Sequence, residues 1–237
     1  GVNAELLIDH AWGYEPCTIA QIRAYKPQSS SLGCGQVLPC PYTADKARIV
    51  VQEMIDGISL ELVEKRLVTD QLVLTVGYDI ENLTRPEIRK VYKGPVTTDR
   101  YGRRVPKHAH GTWNLPRATS SSSELLEAMA ALYDKIVNPA LLIRRMSLSA
   151  CHVVNEKMAK EREQKETFEQ LDLFTDYAKK EAKEKEEQKK RERERRMQEA
   201  LLTIKKKYGK NAVLRGMNFE EGATAKERNG QIGGHQA

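Results

Sequence analysis

The sequence predicts an α+β fold. A β-α-β-β-α-β domain carries two helices on one sheet face and is followed by a long charged tail, helical and partly disordered. Three observations predict it. Apolar and polar residues alternate in the candidate strands, apolar residues recur every three or four positions between them, and large apolar residues become scarce after Asn155. Because both helices cover the same face, the other face of the sheet is expected to be bare.

The first half of the domain is a strand, a helix and a second strand. A strand is predicted over residues 31–38. Thr43 is placed to cap a helix that continues to about Arg66 with its apolar residues on one face. The second strand, residues 68–78, alternates clearly. Its two sides carry Leu72, Leu74 and Val76 on one and Val73 and Thr75 on the other.

The second half repeats the arrangement with a strand, a helix and a final strand. A strand is predicted over residues 112–116, and Ser121 and Glu124 have the spacing of a capping box at the start of a helix. Asn138-Pro139 ends that helix, because a residue before proline disfavours helical geometry. The last strand covers residues 141–153. Its two sides carry Met146, Leu148 and Ala150 opposite Arg145, Ser147 and Ser149.

The composition excludes several classes of protein. Apolar residues make up 40% of the 237 positions and charged residues 30%. No apolar run approaches the roughly 18 residues that span a bilayer, and no signal peptide opens the chain, so a cytoplasmic protein is predicted. The four cysteines have neither C-x-x-C nor zinc-site spacing and are expected to be reduced thiols. Since the first residue is Gly1, we expect a processed product or the back part of a longer chain.

Positive charge is concentrated in one loop. The net charge of +6 and the pI near 9.0 weakly favour a polyanionic partner. Residues 85–107 hold eight basic residues against two acidic ones. Basic side chains of this loop can contact phosphates without sequence choice, although a merely solvated loop has the same composition.

The tail after Asn155 has a different character. Residues 156–210 hold 18 basic and 14 acidic residues, with opposite charges four positions apart, which predicts an exposed single helix. No apolar heptad is sustained, so a coiled coil is not expected. Residues 212–237 are rich in glycine and polar residues and are expected to be loosely ordered.

A short apolar cluster interrupts the charged tail. In a solvated segment these residues have no local core, so the pattern is typical of a peptide that docks into a preformed pocket of a partner. The alternative is that they pack back on the domain. The cluster is similar to the sliding-clamp-binding motif of bacterial DNA-handling proteins. Its residues are Gln170, Leu171, Asp172, Leu173 and Phe174.

The candidate DNA contacts lie on the bare face and in the segments beside it. Serine hydroxyls near the first strand can bind phosphate, although serines are also ordinary turn residues. Arginine on the last strand adds charge to the face. The predicted contacts are Lys26, Ser29, Ser30, Ser31, Arg103, Arg104, Lys107, Arg144 and Arg145. No acidic cluster for metal-assisted phosphoryl transfer and no P-loop is recognisable, so no catalytic residue and no metal ligand is assigned.

The sequence resembles the C-terminal half of a Y-family UmuC/DinB-type translesion DNA polymerase, in particular the ImpB/MucB/SamB type. Residues 1–13 resemble the end of the thumb helix-hairpin-helix region, and residues 25–33 resemble the start of the little finger. The resemblance covers nearly the whole chain. The other matching segments are residues 67–70, 141–148, 205–211 and 216–218.

The resemblance implies three regions and two partners. Residues 1–24 would end the thumb, residues 25–155 would form a little finger that grips primed duplex DNA, and residues 156–237 would carry the clamp-binding motif at 170–174. A monomer with a bacterial sliding clamp as its partner is expected. The palm and fingers have no counterpart here, so Mg²⁺ is expected only for that missing catalytic part. The alternatives are a stand-alone DNA- and clamp-binding regulator and an RNA-binding scaffold.

Overall fold

The structure, a computed structural model, describes residues 2–25, 30–99, 101–166, 177–232 and 235–236. Its contacts divide the chain into two units, residues 1–30 and residues 31–237. The first unit contains α1 (Val2–Ala11) and α2 (Ile19–Ala24). Thr18 begins α2 with a reciprocal capping box to Gln21. The predicted division after residues 24 and 155 stays a prediction.

The second unit contains the predicted β-α-β-β-α-β order, with further elements inserted in it and appended to it. The α+β fold class is thus confirmed. Its elements are β1 (Leu32–Tyr42), α3 (Ala44–Lys65), β2 (Leu67–Tyr78), α4 (Glu81–Thr84), α5 (Pro86–Val91), β3 (Val96–Thr98), β4 (Arg104–Pro106), β5 (Ala109–Thr119), α6 (Ser122–Ile136), β6 (Ile143–Cys151), β7 (Val154–Asn155), α7 (Glu156–Glu166), α8 (Tyr177–Tyr208), a 3-10 helix (Gly216–Phe219), α9 (Ala225–Arg228), β8 (Gln231–Ile232) and β9 (His235–Gln236).

The main sheet is antiparallel, with the strand order β1-β6-β2-β5 and with β7 paired to β2. Helices α3 and α6 pack together on one face. The inward side chains of β2 and β6, such as Leu72, Leu74 and Leu148, are fully buried against apolar residues of the helices, such as Ile55 and Leu125. Burying these side chains is the main favourable contribution to folding.

The predicted basic loop contains secondary structure. Between β2 and β5 the chain forms α4, α5 and the hairpin β3–β4, in which Thr97 pairs with Val105. Lys107 N donates to the Pro95 carbonyl at 2.8 Å, and the Tyr92 hydroxyl donates to the same oxygen at 2.8 Å. The segment therefore returns to the sheet through defined hydrogen bonds.

Helix α8 packs on the domain over part of its length, which corrects the prediction of an exposed single helix. Gln198 is 1% exposed, and its Nε2 donates to Ser122 Oγ at 2.8 Å. The Glu194 carboxylate accepts hydrogen bonds from Ser121 Oγ at 2.7 Å and from Ser123 N at 2.8 Å, at the first turn of α6. A carboxylate is favourable there because the amides of a helix N-terminus lack partners within the helix.

The predicted capping box of α6 is only half formed. Ser121 Oγ accepts a hydrogen bond from Glu124 N at 3.3 Å, as expected. The Glu124 carboxylate instead forms an ion pair with Arg117. The reciprocal bond is thus replaced by an ion pair, and Glu194 of α8 supplies a further acceptor at this helix start.

Residues 211–230, here called the C-terminal segment, lie along helix α3. The structure corrects the prediction of loose order for this segment. Glu53 of α3 is 3% exposed and accepts hydrogen bonds from Asn218 Nδ2 at 2.8 Å, Thr224 N at 2.9 Å and Ala225 N at 3.0 Å. Arg215 forms a 2.7 Å ion pair with Asp56. These contacts are polar, so an apolar periodicity search does not find them.

Candidate nucleic-acid interface

The sheet face opposite α3 and α6 carries small and polar residues, and we call it the open face. Alternation along the strands makes its side chains exposed or half-exposed, except that Gly77 is buried. Its residues are Gly33, Gly35 and Val37 of β1, Arg145, Ser147 and Ser149 of β6, Gln71, Val73, Thr75 and Gly77 of β2, and His110, Thr112 and Asn114 of β5.

Strand register places these residues in rows across the sheet. In the central row, Gly35 lies beside Ser147, Ser147 beside Thr75, and Thr75 beside His110. Thr75 Oγ1 and His110 Nδ1 are 2.9 Å apart and share a hydrogen bond. Gln71 Nε2 donates to Asn114 Oδ1 at 3.0 Å in an outer row. The rows present hydroxyl, amide and imidazole groups on a surface with few large side chains.

Arg145 lies across the sheet because its neighbour is a glycine. Gly77 pairs with Arg145 in the register of β2 and β6. A Cβ atom at position 77 would lie 2.6 Å from Arg145 Cγ and 2.7 Å from its Nε, so only glycine leaves room for this side chain. Among the residues that the structure describes, Arg145 has no ion pair. Its charge is thus available at the open face.

Two further predicted basic residues, Arg104 and Lys107, lie in the segment that leads into β5 at this end of the sheet. Val76 pairs with Ala109, so Lys107 comes next to the end of β2, where Arg145 lies. Arg104 on β4 is exposed. In the described part of the chain, neither Arg104 nor Lys107 has a carboxylate partner. Together with Arg145, they provide three positive charges at this end of the sheet.

Two predicted contacts are paired with carboxylates. Arg103 forms a 2.7 Å ion pair with Asp99, and hydrogen bonds from Arg103 hold the pKa of the Asp99 carboxyl below its usual value. Arg144 Nε lies 3.8 Å from Asp79, at the irregularity in register between Gly77 and Tyr78 of β2. Their charges are partly compensated within the chain, so they contribute less to an anion site than free cations do.

Among the remaining predicted site residues, Ser31 lies away from this end of the sheet. Ser31 precedes Leu32, which pairs with Ala150, five residues and about 17 Å along the strand from Arg145. Ser30 is exposed and belongs to the first unit. Lys26 and Ser29 lie outside the described residues. So do Gln170, Leu171, Asp172, Leu173 and Phe174, and the clamp-binding motif therefore stays a prediction.

Several contributors to the open face have only a weak signal in the sequence. One feature of the sequence indicates the contact between Gly77 and the Arg145 side chain. A glycine inside a regularly alternating strand often marks a place where another group lies close to the backbone. His110 had a weaker signal, because it precedes the strand predicted to begin at Thr112, whereas β5 begins at Ala109. The pairing of Thr75 with His110 depends on register, which the sequence does not reveal.

The surroundings of Cys34 do not favour a reactive thiolate. Burial raises the pKa of the Cys34 thiol to about 11, so the thiol stays protonated and weakly nucleophilic at neutral pH. Across the described residues, no three His, Cys, Asp or Glu side chains are grouped to hold a metal ion. None of the helices that the structure describes is long and apolar enough to cross a membrane.

The fold and this surface define an α+β domain with an open, polar and partly cationic sheet face. No family profile and no curated protein matches the chain. Among solved structures, the chain is similar to one described as a complex of the β-clamp processivity factor and the little finger domain of PolIV. The identity is 9%, the TM-score is 0.34, and the match covers 62% of this chain and all of the other.

Proposed function

We propose that the open face binds the backbone of primed duplex DNA without sequence choice. In this proposal the chain is the non-catalytic C-terminal part of a translesion DNA repair polymerase, bound to its template-primer and to a sliding clamp. The observation that carries the DNA-binding proposal is the placement of Arg145, Arg104 and Lys107, without carboxylate partners in the described structure, beside a face of glycine, serine and threonine.

The chemistry of this face suits a phosphate backbone. Guanidinium and ammonium groups pair with phosphate charge, and hydroxyls such as those of Ser147 and Thr75 donate hydrogen bonds to phosphate oxygens. The glycines of β1 allow a backbone to approach closely. A protein partner would need a larger apolar surface, whereas Val37 is the one strongly exposed large apolar residue among the described residues of the face.

Backbone contacts of this kind position a duplex but carry no chemical step. The proposal therefore assigns bond formation to a catalytic part outside these residues, and Mg²⁺ to that part. Holding template-primer and clamp together would raise the local concentration of the primer end at the catalytic site. The sequence resemblance to Y-family polymerases supports this role.

Salt dependence tests the DNA-binding proposal. With three phosphates neutralised, the logarithm of the association constant is expected to fall with a slope of about −2.7 against the logarithm of salt concentration. Raising salt from about 50 to 200 mM should then weaken binding of a labelled primed duplex about 40-fold, as measured by fluorescence anisotropy. Affinity that ignores salt, or a clear preference for structured RNA in a competition arm, would contradict the proposal.

The clamp-docking proposal rests on residues 170–174 and is tested separately. The described flanks are α7 and α8, and Arg195 of α8 donates to the Glu156 carboxylate of α7 at 3.3 Å. The double variant Leu173→Ala with Phe174→Ala is expected to lose capture by immobilised bacterial sliding clamp, because the apolar anchors are removed. Its duplex affinity should remain within about twofold of the unsubstituted chain. Retained capture would place the docking site elsewhere.

A further inference from the structure

The β3–β4 hairpin presents an aromatic ring at its tip. The hairpin is an addition to the β-α-β-β-α-β core, inserted between β2 and β5. Gly102 turns the chain at a φ of +77°, a conformation that glycine adopts without strain. Tyr101, the preceding residue, is 70% exposed.

Asp99 forms hydrogen bonds with two of the described residues of the tip, Tyr101 and Arg103. Its Oδ1 accepts hydrogen bonds from Tyr101 N and Arg103 N, each at 2.9 Å, and its Oδ2 accepts one from Arg103 Nε at 2.8 Å. The Asp99 side chain is only 10% exposed although it lies in a surface turn. Because these hydrogen bonds hold Tyr101 N and Arg103 in place beforehand, the two residues lose little conformational entropy when a ligand binds to them.

The same turn brings a guanidinium against the ring. Arg103 Cζ lies 5.1 Å from the Tyr101 ring centroid, within cation–π distance. The base of the hairpin also lies at the cationic end of the open face, because Lys107 directly follows β4 and its N donates to the Pro95 carbonyl just before β3. An exposed aromatic ring beside arginine is the combination on which unpaired nucleobases stack.

We infer that the tip of the β3–β4 hairpin binds an unpaired nucleobase through Tyr101 and Arg103, next to the duplex held on the open face. This inference rests on the proposed function, because it takes the ligand to be DNA. It adds a preference that phosphate contacts do not provide. A junction between duplex and single strand should bind more tightly than a blunt duplex with the same number of phosphates.

Two labelled DNAs test the inference with the full chain. One is a blunt hairpin duplex. The other has the same number of nucleotides, but five of them form a single-stranded overhang, which is placed at the 5′ end in one version and at the 3′ end in another. Stacking on one aromatic residue is expected to make the overhang DNA bind about tenfold more tightly. Tyr101→Ala should remove that preference and leave blunt-duplex affinity within twofold, whereas Tyr101→Phe should retain it.

Tyr208 offers a matched control. It is 68% exposed, and Lys207 Nζ lies 5.2 Å from its ring centroid, but it lies at the end of α8. Tyr208→Ala should leave the overhang preference unchanged. Equal binding of the two DNAs, or a preference that survives Tyr101→Ala, would overturn the inference while duplex binding stands. Absence of binding to either DNA would instead overturn the proposed function and this inference with it.

Discussion

Glu53→Gln is expected to lower the free energy of unfolding by about 3 kcal/mol and to release the C-terminal segment from α3. The Glu53 carboxylate is buried and accepts hydrogen bonds from the Asn218 side chain, from the Thr224 hydroxyl at 3.2 Å and from two backbone amides. Glutamine has the same size, but one of the two acceptor oxygens becomes an NH2 group, which faces a donor in place of accepting from it. Buried donors without an acceptor are costly, since water does not reach them.

Chemical denaturation and hydrogen exchange measure this effect. The amides of Thr224 and Ala225 should exchange much faster in the variant, because Glu53 is their acceptor. Glu61→Gln is the control on the same helix. Glu61 pairs with Lys65 at 2.6 Å with both side chains substantially exposed, so its loss should cost less than about 0.5 kcal/mol. Similar exchange in the Glu53 variant and the unsubstituted chain would show that the carboxylate does not hold the segment.

Asp56 also joins α3 to the C-terminal segment, but its substitution is expected to have a smaller effect on stability than that of Glu53. Burial raises the pKa of the Asp56 carboxyl, although Arg215 partly opposes the shift. Because the pKa of this carboxyl is higher in the folded protein than in the unfolded chain, folding disfavours the charged form. Above the native pKa, the charged carboxylate therefore lowers the free energy of unfolding. Asp56→Asn is therefore expected to cost much less stability at pH 7 than Glu53→Gln, despite losing the ion pair with Arg215.

Reversing two charges at the cationic end of the open face should weaken duplex binding about 100-fold or more. Arg104→Glu with Arg145→Glu replaces two charge-assisted phosphate contacts by repulsion, and each contact is worth about 1.5 kcal/mol or more. Both side chains are exposed and, in the described part of the chain, have no ion pair, so the fold should tolerate the change. Anisotropy titration at fixed salt measures the loss, and the salt slope should become shallower by about two.

The control for this double variant changes the same charge elsewhere. Arg193 and Arg196 are exposed on α8, which packs on the helix layer and not on the open face. Arg193→Glu with Arg196→Glu gives the same net charge and should reduce duplex affinity less than about threefold. If the two double variants weakened binding equally, net charge would explain the affinity and the open face would not be the binding surface.

Much of the fold follows from local periodicity. The alternation in β2 and β6 and the apolar faces of α3 and α6 predicted which side chains are buried, and Leu72, Leu74 and Leu148 are buried as expected. The same alternation predicted a bare face with Ser147 and Arg145 on it. Period two and period 3.6 are properties of strands and helices themselves, so they are visible without knowledge of the tertiary structure.

The sequence by itself determined the β-α-β-β-α-β order of the core elements, the two unlike faces of the sheet and the concentration of basic residues before β5. Only the tertiary structure showed that the Arg145 side chain lies over Gly77 and that Lys107 lies at the same end of the sheet. It also showed that hydrogen bonds of Gln198 and Glu53 join the tail to the helix layer. The physical reason is that register and polar contacts join residues far apart in the chain. A polar side chain looks the same in the sequence whether water or another part of the protein satisfies its hydrogen bonds.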